Sequence, residues 1–147
     1  RMKSGGKVNE GLFKGETINT PSMLCVSDYL DALKWVESLG GVAGTIARSE
    51  ANLKVIEAFV AANDWISFLA KSPATRSNTS VCLTVAATEE QVKKMVKLLD
   101  AEGVAHDMGA YKDAPAGLRI WCGATVESSD LQALMPWLTW AYQQVTA

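Results

Sequence analysis

The clearest pattern in the chain is a segment in which apolar residues recur at helical spacing. They stand at i, i+3, i+4 and i+7, at Val92, Met95, Val96 and Leu99. Thr88 with Gln91 three residues later has the form of a capping box, and Gly103 suits the end of a helix. This segment therefore predicts an amphipathic helix that begins after Thr88.

Three further segments show the same periodicity and predict helices. They cover residues 21–39, residues about 42–62, and a last stretch from about Ser129. Pro21 suits a first helical position, and Ser129 with Gln132 three residues on suggests a second N-cap. Pro136 lies inside the last helix and is expected to kink it.

Four segments are candidate strands, at residues 65–69, 80–86, 106–111 and 117–122. The best is 80–86, where Val81, Leu83 and Val85 alternate with Cys82 and Thr84. The order is two helices, two strands, one helix, two strands and one helix. It predicts an α+β fold with a mostly antiparallel sheet and helices on one face.

Composition limits the class of protein. The 147 residues are 48% apolar and 20% charged with a net charge of −2, so we expect neither a nucleic-acid nor a membrane partner. A cytoplasmic location is the corresponding expectation. The three cysteines are far apart in apolar stretches, which predicts small core residues in a reducing compartment. Because Arg1 stands where an initiator Met is usual, we expect a piece of a longer protein.

Sequence motifs alone do not identify a function for this chain. The sequence has no metal-ligand spacing, no phosphate-binding glycine loop and no Ser-His-Asp order. We therefore assign no metal site. On these grounds the chain is a soluble α+β domain, and a non-enzymatic small-molecule-binding or regulatory domain remains an alternative.

Three runs carry a resemblance to a known family. GETINTPSML at 15–24, ATRSNTSVCLTV at 74–85 and DAPAGLRIWCGATVE at 113–127 closely resemble the carboxy-terminal part of proteobacterial-type phosphoserine aminotransferases, a class V aminotransferase family. The resemblance implies the type I fold of pyridoxal-phosphate enzymes. Residues 1–20 would then end the large domain, and residues 21–147 would form the carboxy-terminal small domain.

The resemblance also implies an activity. Members of the family are homodimers that transfer an amino group between O-phosphoserine and 2-oxoglutarate, with pyridoxal 5'-phosphate, in serine biosynthesis. Their Schiff-base lysine lies upstream of this region, so the chain alone is expected to be inactive and to contain no catalytic residue. Another phosphorylated amino acid, such as the one used in pyridoxine synthesis, remains an alternative substrate.

Asn19 and Thr20 form the first candidate site. They precede a predicted helix start at Pro21, where unpaired backbone N–H groups and the helix dipole favour an anion. Thr20 acting only as an N-cap is the alternative. The resemblance implies that this pair reaches across the dimer to the cofactor phosphate.

Arg119 is the second candidate, in the predicted strand Leu118-Arg119-Ile120. A guanidinium can bind a carboxylate through two parallel hydrogen bonds, although many strand arginines pair with a structural acid or face solvent. In the resembling family, the arginine of this motif binds the α-carboxylate of the substrate.

The chain departs from the family pattern just before Arg119. Other members have a histidine there, whereas this sequence has Tyr111 and Lys112, so the phosphate contact of this segment is left open. His106, the only histidine, lies beside Asp107 and is expected to make a structural hydrogen bond.

Two further motifs are expected to have structural or interface roles. Residues 76–79 are expected to satisfy backbone groups at the entry to a strand. Trp137 and Trp140 cannot both lie in the apolar stripe of the last helix, so at least one should contact the large domain or a partner subunit.

Overall fold

The structure of the chain is a computed structural model. It describes residues 3–17 and 19–147. The chain divides into two compact units, one ending at Val42 and the other formed by Ala43–Ala147, and each is described by itself.

The first unit contains a short hairpin and one long helix. Strands β1 (Lys3–Ser4) and β2 (Lys7–Val8) pair antiparallel across a two-glycine turn, and a 3₁₀ helix follows at Glu10–Lys14. Gly15 ends this turn in the left-handed conformation, with φ at 86°. The long helix, α1, spans Met23–Ser38.

Helix α1 begins two residues later than predicted. Ser22 is the N-cap, and its side chain accepts a hydrogen bond from the backbone N–H of Cys25. The predicted start at Pro21 is therefore wrong, because the hydroxyl that caps the first turn belongs to Ser22, which leaves Pro21 and Thr20 outside the helix. No residue of α1 is buried.

The second unit alternates helices and strands. Its elements are α2 (Gly41–Ala61, which starts just before the boundary), β3 (Ile66–Phe68), β4 (Ser80–Val85), α3 (Glu89–Ala101), β5 (Gly117–Trp121) and α4 (Ser128–Thr146). The strands form one antiparallel sheet in the order β3-β4-β5. The predicted α+β class is confirmed, as is the capping box of Thr88 and Gln91 on α3.

One face of this sheet is buried and the other is open. Val81, Leu83 and Val85 of β4 and Leu118 and Ile120 of β5 are buried. They pack with apolar residues of the helices, among them Ile56, Met95, Leu99, Leu131 and Leu138. The alternation of a strand sends the intervening side chains to the opposite, more exposed face, as seen for Cys82, Thr84, Arg119 and Trp121.

Two predicted elements differ from the structure. Residues 106–111 are not a strand, since only Gly109 bridges to Leu118 and the left-handed backbone of Asp107 interrupts an extended course. Helix α4 begins at Ser128 after Glu127, so Ser129 lies inside it and is not its cap. Pro136 does lie within α4.

The cysteines were only partly predicted. Cys122 is fully buried, but Cys25 and Cys82 are exposed, so the core assignment is wrong for both. Cys82 takes the open-face position of an alternating strand, and Cys25 lies on α1, which has no buried residue. Among the described residues, no helix is long and apolar enough to cross a membrane.

Gly117 generates the first prediction. A β-carbon there would collide with the carbonyl oxygen of Leu83 in the neighbouring strand, whereas one at Gly109 would meet nothing within 4 Å. Gly117→Ala should therefore lower the free energy of unfolding by about 1 to 3 kcal/mol, the usual range for overpacking. Urea unfolding followed by circular dichroism measures this, with Gly109→Ala as the matched control. Equal stabilities of the two variants would contradict the close approach of β4 and β5.

The cysteines generate the second prediction. Burial raises the pKa of the Cys122 thiol to about 11, which suppresses the reactive thiolate, whereas Cys25 and Cys82 are exposed. At pH 8, iodoacetamide should modify Cys25 and Cys82 quickly and Cys122 only after denaturation, as peptide mass mapping would measure. Rapid labelling of Cys122 in the native chain would contradict its position in the core.

Candidate functional site

The segment before α1 presents two polar side chains to solvent. Asn19 and Thr20 are both exposed, and neither side chain forms a hydrogen bond within residues 3–17 and 19–147. Because Ser22 caps the helix, capping no longer accounts for Thr20. The first turn of a helix also leaves backbone N–H groups without intrahelical partners, so an anion has both kinds of donor available here.

Arg119 lies at the centre of β5 on the open face of the sheet. Its backbone pairs with Cys82 of β4 on one side, and its N–H donates to the carbonyl of Met108 at 2.9 Å on the other. The backbone around Arg119 is thus held on both edges. The position from which the Arg119 side chain extends is therefore determined by the register of the strand and not by a flexible loop.

The guanidinium of Arg119 has one acidic partner. Its Nη2 donates to Oδ2 of Asp107 at 2.7 Å, and the ring of Tyr111 has its centroid 6.0 Å from the guanidinium carbon. Its Nε is buried and has no hydrogen-bond partner among the described residues. The side chain as a whole is 31% exposed, but its Nε is closed to a ligand from solvent.

A groove of about 420 Å³ opens beside this guanidinium. It is lined by Ser80, His106, Asp107, Arg119, Trp121 and Asp130, together with apolar residues. His106 makes the expected structural hydrogen bond, but with Asp100 at the end of α3 rather than with the adjacent Asp107. With His106 paired in this way, Arg119 is the groove's basic group suited to a carboxylate.

Tyr111 and Lys112 border a different cavity, of about 600 Å³, between α3 and the loop of residues 109–117. Both side chains are exposed. Lys93 also lines this cavity, and its hydrogen bond to Glu89 raises the pKa of its ammonium group. Neither Tyr111 nor Lys112 lines the Arg119 groove.

The loop after β5 is held by two residues that the sequence analysis missed. The Nδ2 of Asn52, which is buried on α2, lies 3.0 to 3.2 Å from the carbonyls of Cys122, Gly123 and Val126. Its Oδ1 accepts from the Ser128 hydroxyl at 2.7 Å. A polar residue on an apolar helix face, flanked by Leu53 and Ile56, was the available signal.

Arg48 lies one helical turn before Asn52 and contacts the same loop. Its Nε donates to the carbonyl of Ala124 at 2.8 Å, and its Nη2 lies 2.5 Å from Oε1 of Glu127. Arg48 and Asn52, at positions i and i+4 on the same side of α2, thus both bind the loop that leads from β5 to α4.

The remaining motifs have structural contacts. The guanidinium of Arg76 lies 4.0 Å from the ring centroid of Phe68 and its Nε donates to the carbonyl of Ala70, while the Ser77 hydroxyl accepts from the N–H groups of Thr79 and Ser80. Trp137 and Trp140 pack edge to face at 5.5 Å. In the part of the chain that the structure describes, no group of three His, Cys, Asp or Glu side chains is placed to hold a metal ion.

The sequence has two close curated relatives. The chain is 54% identical over 145 residues to a phosphoserine aminotransferase of Methanosarcina mazei and 55% identical to that of Methanosarcina barkeri. Each match covers 99% of this chain but 39% of the relative, so the chain spans about two-fifths of their length. No family model matches the chain.

Solved structures give the same answer for the fold. A phosphoserine aminotransferase from Bacillus circulans subsp. alkalophilus superposes with a TM-score of 0.80 at 20% identity, over 90% of this chain and 36% of that one. A second phosphoserine aminotransferase, from a study of radiation damage to its Schiff base, gives 0.79 at 17% identity. In sequence and in fold, the chain is therefore related to a segment of the phosphoserine aminotransferases.

Proposed function

We propose that residues 21–147 form the carboxy-terminal small domain of a pyridoxal-phosphate-dependent phosphoserine aminotransferase, and that residues 1–20 end its large domain. The whole enzyme transfers an amino group between O-phosphoserine and 2-oxoglutarate in serine biosynthesis. The observation that carries the proposal is the 54–55% identity to curated phosphoserine aminotransferases over 99% of the chain. The chain by itself, without the upstream Schiff-base lysine, is inactive.

Asn19 and Thr20 bind the phosphate of the cofactor in this proposal. Both side chains are exposed just before a 16-residue helix, and Ser22 has taken over the capping role, so the residues present fit an anionic group. Bound pyridoxal phosphate supplies the electron sink for the reaction. The residues of this chain contribute hydrogen-bond donors that position the phosphate.

Arg119 binds a substrate carboxylate. Arg119 lines the groove described above, while burial of Nε restricts the directions from which a ligand can approach. A planar guanidinium can donate two parallel hydrogen bonds to a carboxylate, which fixes the orientation of the ligand as well as its position.

The enzyme acts as a homodimer in the cytoplasm. Helix α1 supports an apolar partner surface, because four of its large apolar side chains, those of Met23, Leu24, Tyr29 and Leu30, are more than half exposed. The near-neutral net charge of −2 agrees with the absence of a nucleic-acid or membrane partner from the proposal.

Arg119→Ala in the full-length enzyme generates the third prediction. It should weaken transition-state binding of both O-phosphoserine and 2-oxoglutarate by about 2 to 4 kcal/mol, because a charge-assisted two-point contact is lost. The measurement is kcat/KM for each half-reaction, with cofactor content checked by absorbance and expected to stay unchanged.

Arg119→Lys is the matched control, since it keeps the charge but removes the forked pair of donors. It should recover only part of the lost kcat/KM. Unchanged kcat/KM in the alanine variant would remove Arg119 from the site. Failure of the wild-type enzyme to transaminate this substrate pair would contradict the proposed activity itself.

The pair Asn19 and Thr20 generates the fourth prediction. Replacing both by Ala should weaken binding of the cofactor by about 1 to 3 kcal/mol, the range for removing hydrogen bonds to a charged group. Equilibrium dialysis of the full-length enzyme measures this. Ser22→Ala is the control, because it removes the helix cap without touching the proposed phosphate donors.

Mixing two inactive full-length variants tests whether the pair acts across the dimer. One variant lacks the Schiff-base lysine and the other carries the Asn19/Thr20 double change. If the pair serves the neighbouring subunit, a heterodimer has one site with both defects and one with neither, so up to half of the activity per dimer should return. No recovery after verified subunit exchange would contradict this arrangement.

A further inference from the structure

Asp107 has an unusual backbone next to the proposed carboxylate site. Its φ is 52°, and it is the one residue other than glycine with a positive φ among those that the structure describes. Asp and Asn tolerate this left-handed region better than other side chains with a β-carbon. Any replacement that tests Asp107 must therefore accept the same backbone conformation.

The backbone on either side keeps Asp107 beside β5. The carbonyl of Met108 accepts from the N–H of Arg119, and Gly109 bridges to Leu118. The Asp107 carboxylate consequently lies next to the guanidinium, with 2.7 Å between Oδ2 and Nη2 of Arg119. It occupies one of the two outer nitrogens that a ligand carboxylate requires for a two-point contact.

Arg119 and Asp107 differ strongly in solvent exposure. The Arg119 side chain is 31% exposed, but that of Asp107 is 87% exposed. Arg119 is already restrained by its strand, by the burial of Nε and by the nearby ring of Tyr111. An ion pair with so exposed a carboxylate adds little further restraint, since such pairs are weak in water.

The negative charge of Asp107 has a larger effect on an incoming anion. A ligand carboxylate that displaces Asp107 from Nη2 still lies a few ångströms from the Asp107 carboxylate, because the backbone beside Asp107 stays bound to β5. Repulsion between two like charges about 4 Å apart in water weakens binding by about fivefold. Repulsion therefore outweighs the small loss of restraint when the charge of Asp107 is removed.

We propose that Asp107 is an affinity-determining residue: its carboxylate occupies Nη2 of Arg119 where the substrate carboxylate would bind, and it is displaced from Nη2 when that carboxylate binds. The inference rests on the proposed role of Arg119. No covalent bond changes in this step: the Nη2 donor exchanges one carboxylate acceptor for another. Asp107 thereby weakens the binding of carboxylate ligands and speeds their release.

The test uses Asp107→Asn in the full-length enzyme, because Asn keeps the shape and tolerates the positive φ while removing the charge. We expect the dissociation constants of 2-oxoglutarate and O-phosphoserine to fall by about three- to tenfold. The kcat should not rise, so the change appears in KM. Asp107→Gly, which also accepts the backbone, should tighten binding similarly, since it too removes the charge.

Two controls separate this effect from a general change of charge. Asp64→Asn alters an exposed acid that does not line the Arg119 groove, and it should leave both constants unchanged. O-phosphoethanolamine, which resembles O-phosphoserine without its carboxylate, should bind with less than about a twofold change to Asp107→Asn.

The outcomes distinguish the role of Asp107 from that of Arg119. Unchanged or weaker carboxylate binding in Asp107→Asn would overturn the proposal, as would equal tightening in Asp64→Asn. Arg119→Ala tests the proposed carboxylate-binding role of Arg119, on which the role of Asp107 rests. If that variant loses affinity while Asp107→Asn gains none, only the role of Asp107 fails, whereas unchanged affinity in Arg119→Ala removes the proposed carboxylate site.

Discussion

The buried amide of Asn52 is the contact on which the arrangement around β5 depends. Its Nδ2, with two hydrogens to donate, lies within hydrogen-bond distance of the carbonyls of Cys122, Gly123 and Val126, and its Oδ1 accepts from Ser128, the first residue of α4. A buried backbone carbonyl without a hydrogen-bond partner lowers the stability of the fold by about 1 to 3 kcal/mol. The Asn52 side chain therefore stabilises the whole loop between β5 and α4. The loop can therefore turn directly from the sheet into a helix without a side-chain cap of its own.

Holding that loop also holds the strand before it. The Cys122 backbone, which follows β5, contacts Asn52 through its carbonyl and the carbonyl of Thr79 through its N–H at 2.6 Å. On the far side of Arg119, Gly117 approaches the Leu83 carbonyl so closely that no side chain fits. Arg119 lies between these two anchored points, so its register on β4 is determined by backbone contacts.

Local patterns predicted the regular elements well, because the capping box of α3 and the alternation of β4 are encoded by neighbouring residues. They misplaced the starts of α1 and α4 by one or two residues, and they failed outright where long-range contacts decide the conformation. The sequence of residues 106–111 suits a strand, yet the backbone of Asp107 turns left-handed where its carboxylate meets Arg119, twelve residues away. Asn52 was missed for the same reason, since all four of its polar contacts are to residues about seventy positions later in the chain.

Two kinds of contact, buried ones around Arg119 and an exposed one at Asp107, have different roles at the proposed carboxylate site. The position of Arg119 depends on buried contacts, and a substitution among them changes the stability of the fold together with the site. Asp107 is exposed, is held mainly by its own backbone, and can change charge without disturbing the core. Affinity for a carboxylate can therefore be adjusted at Asp107 independently of folding, because the exposed ion pair between Asp107 and Arg119 contributes little to stability.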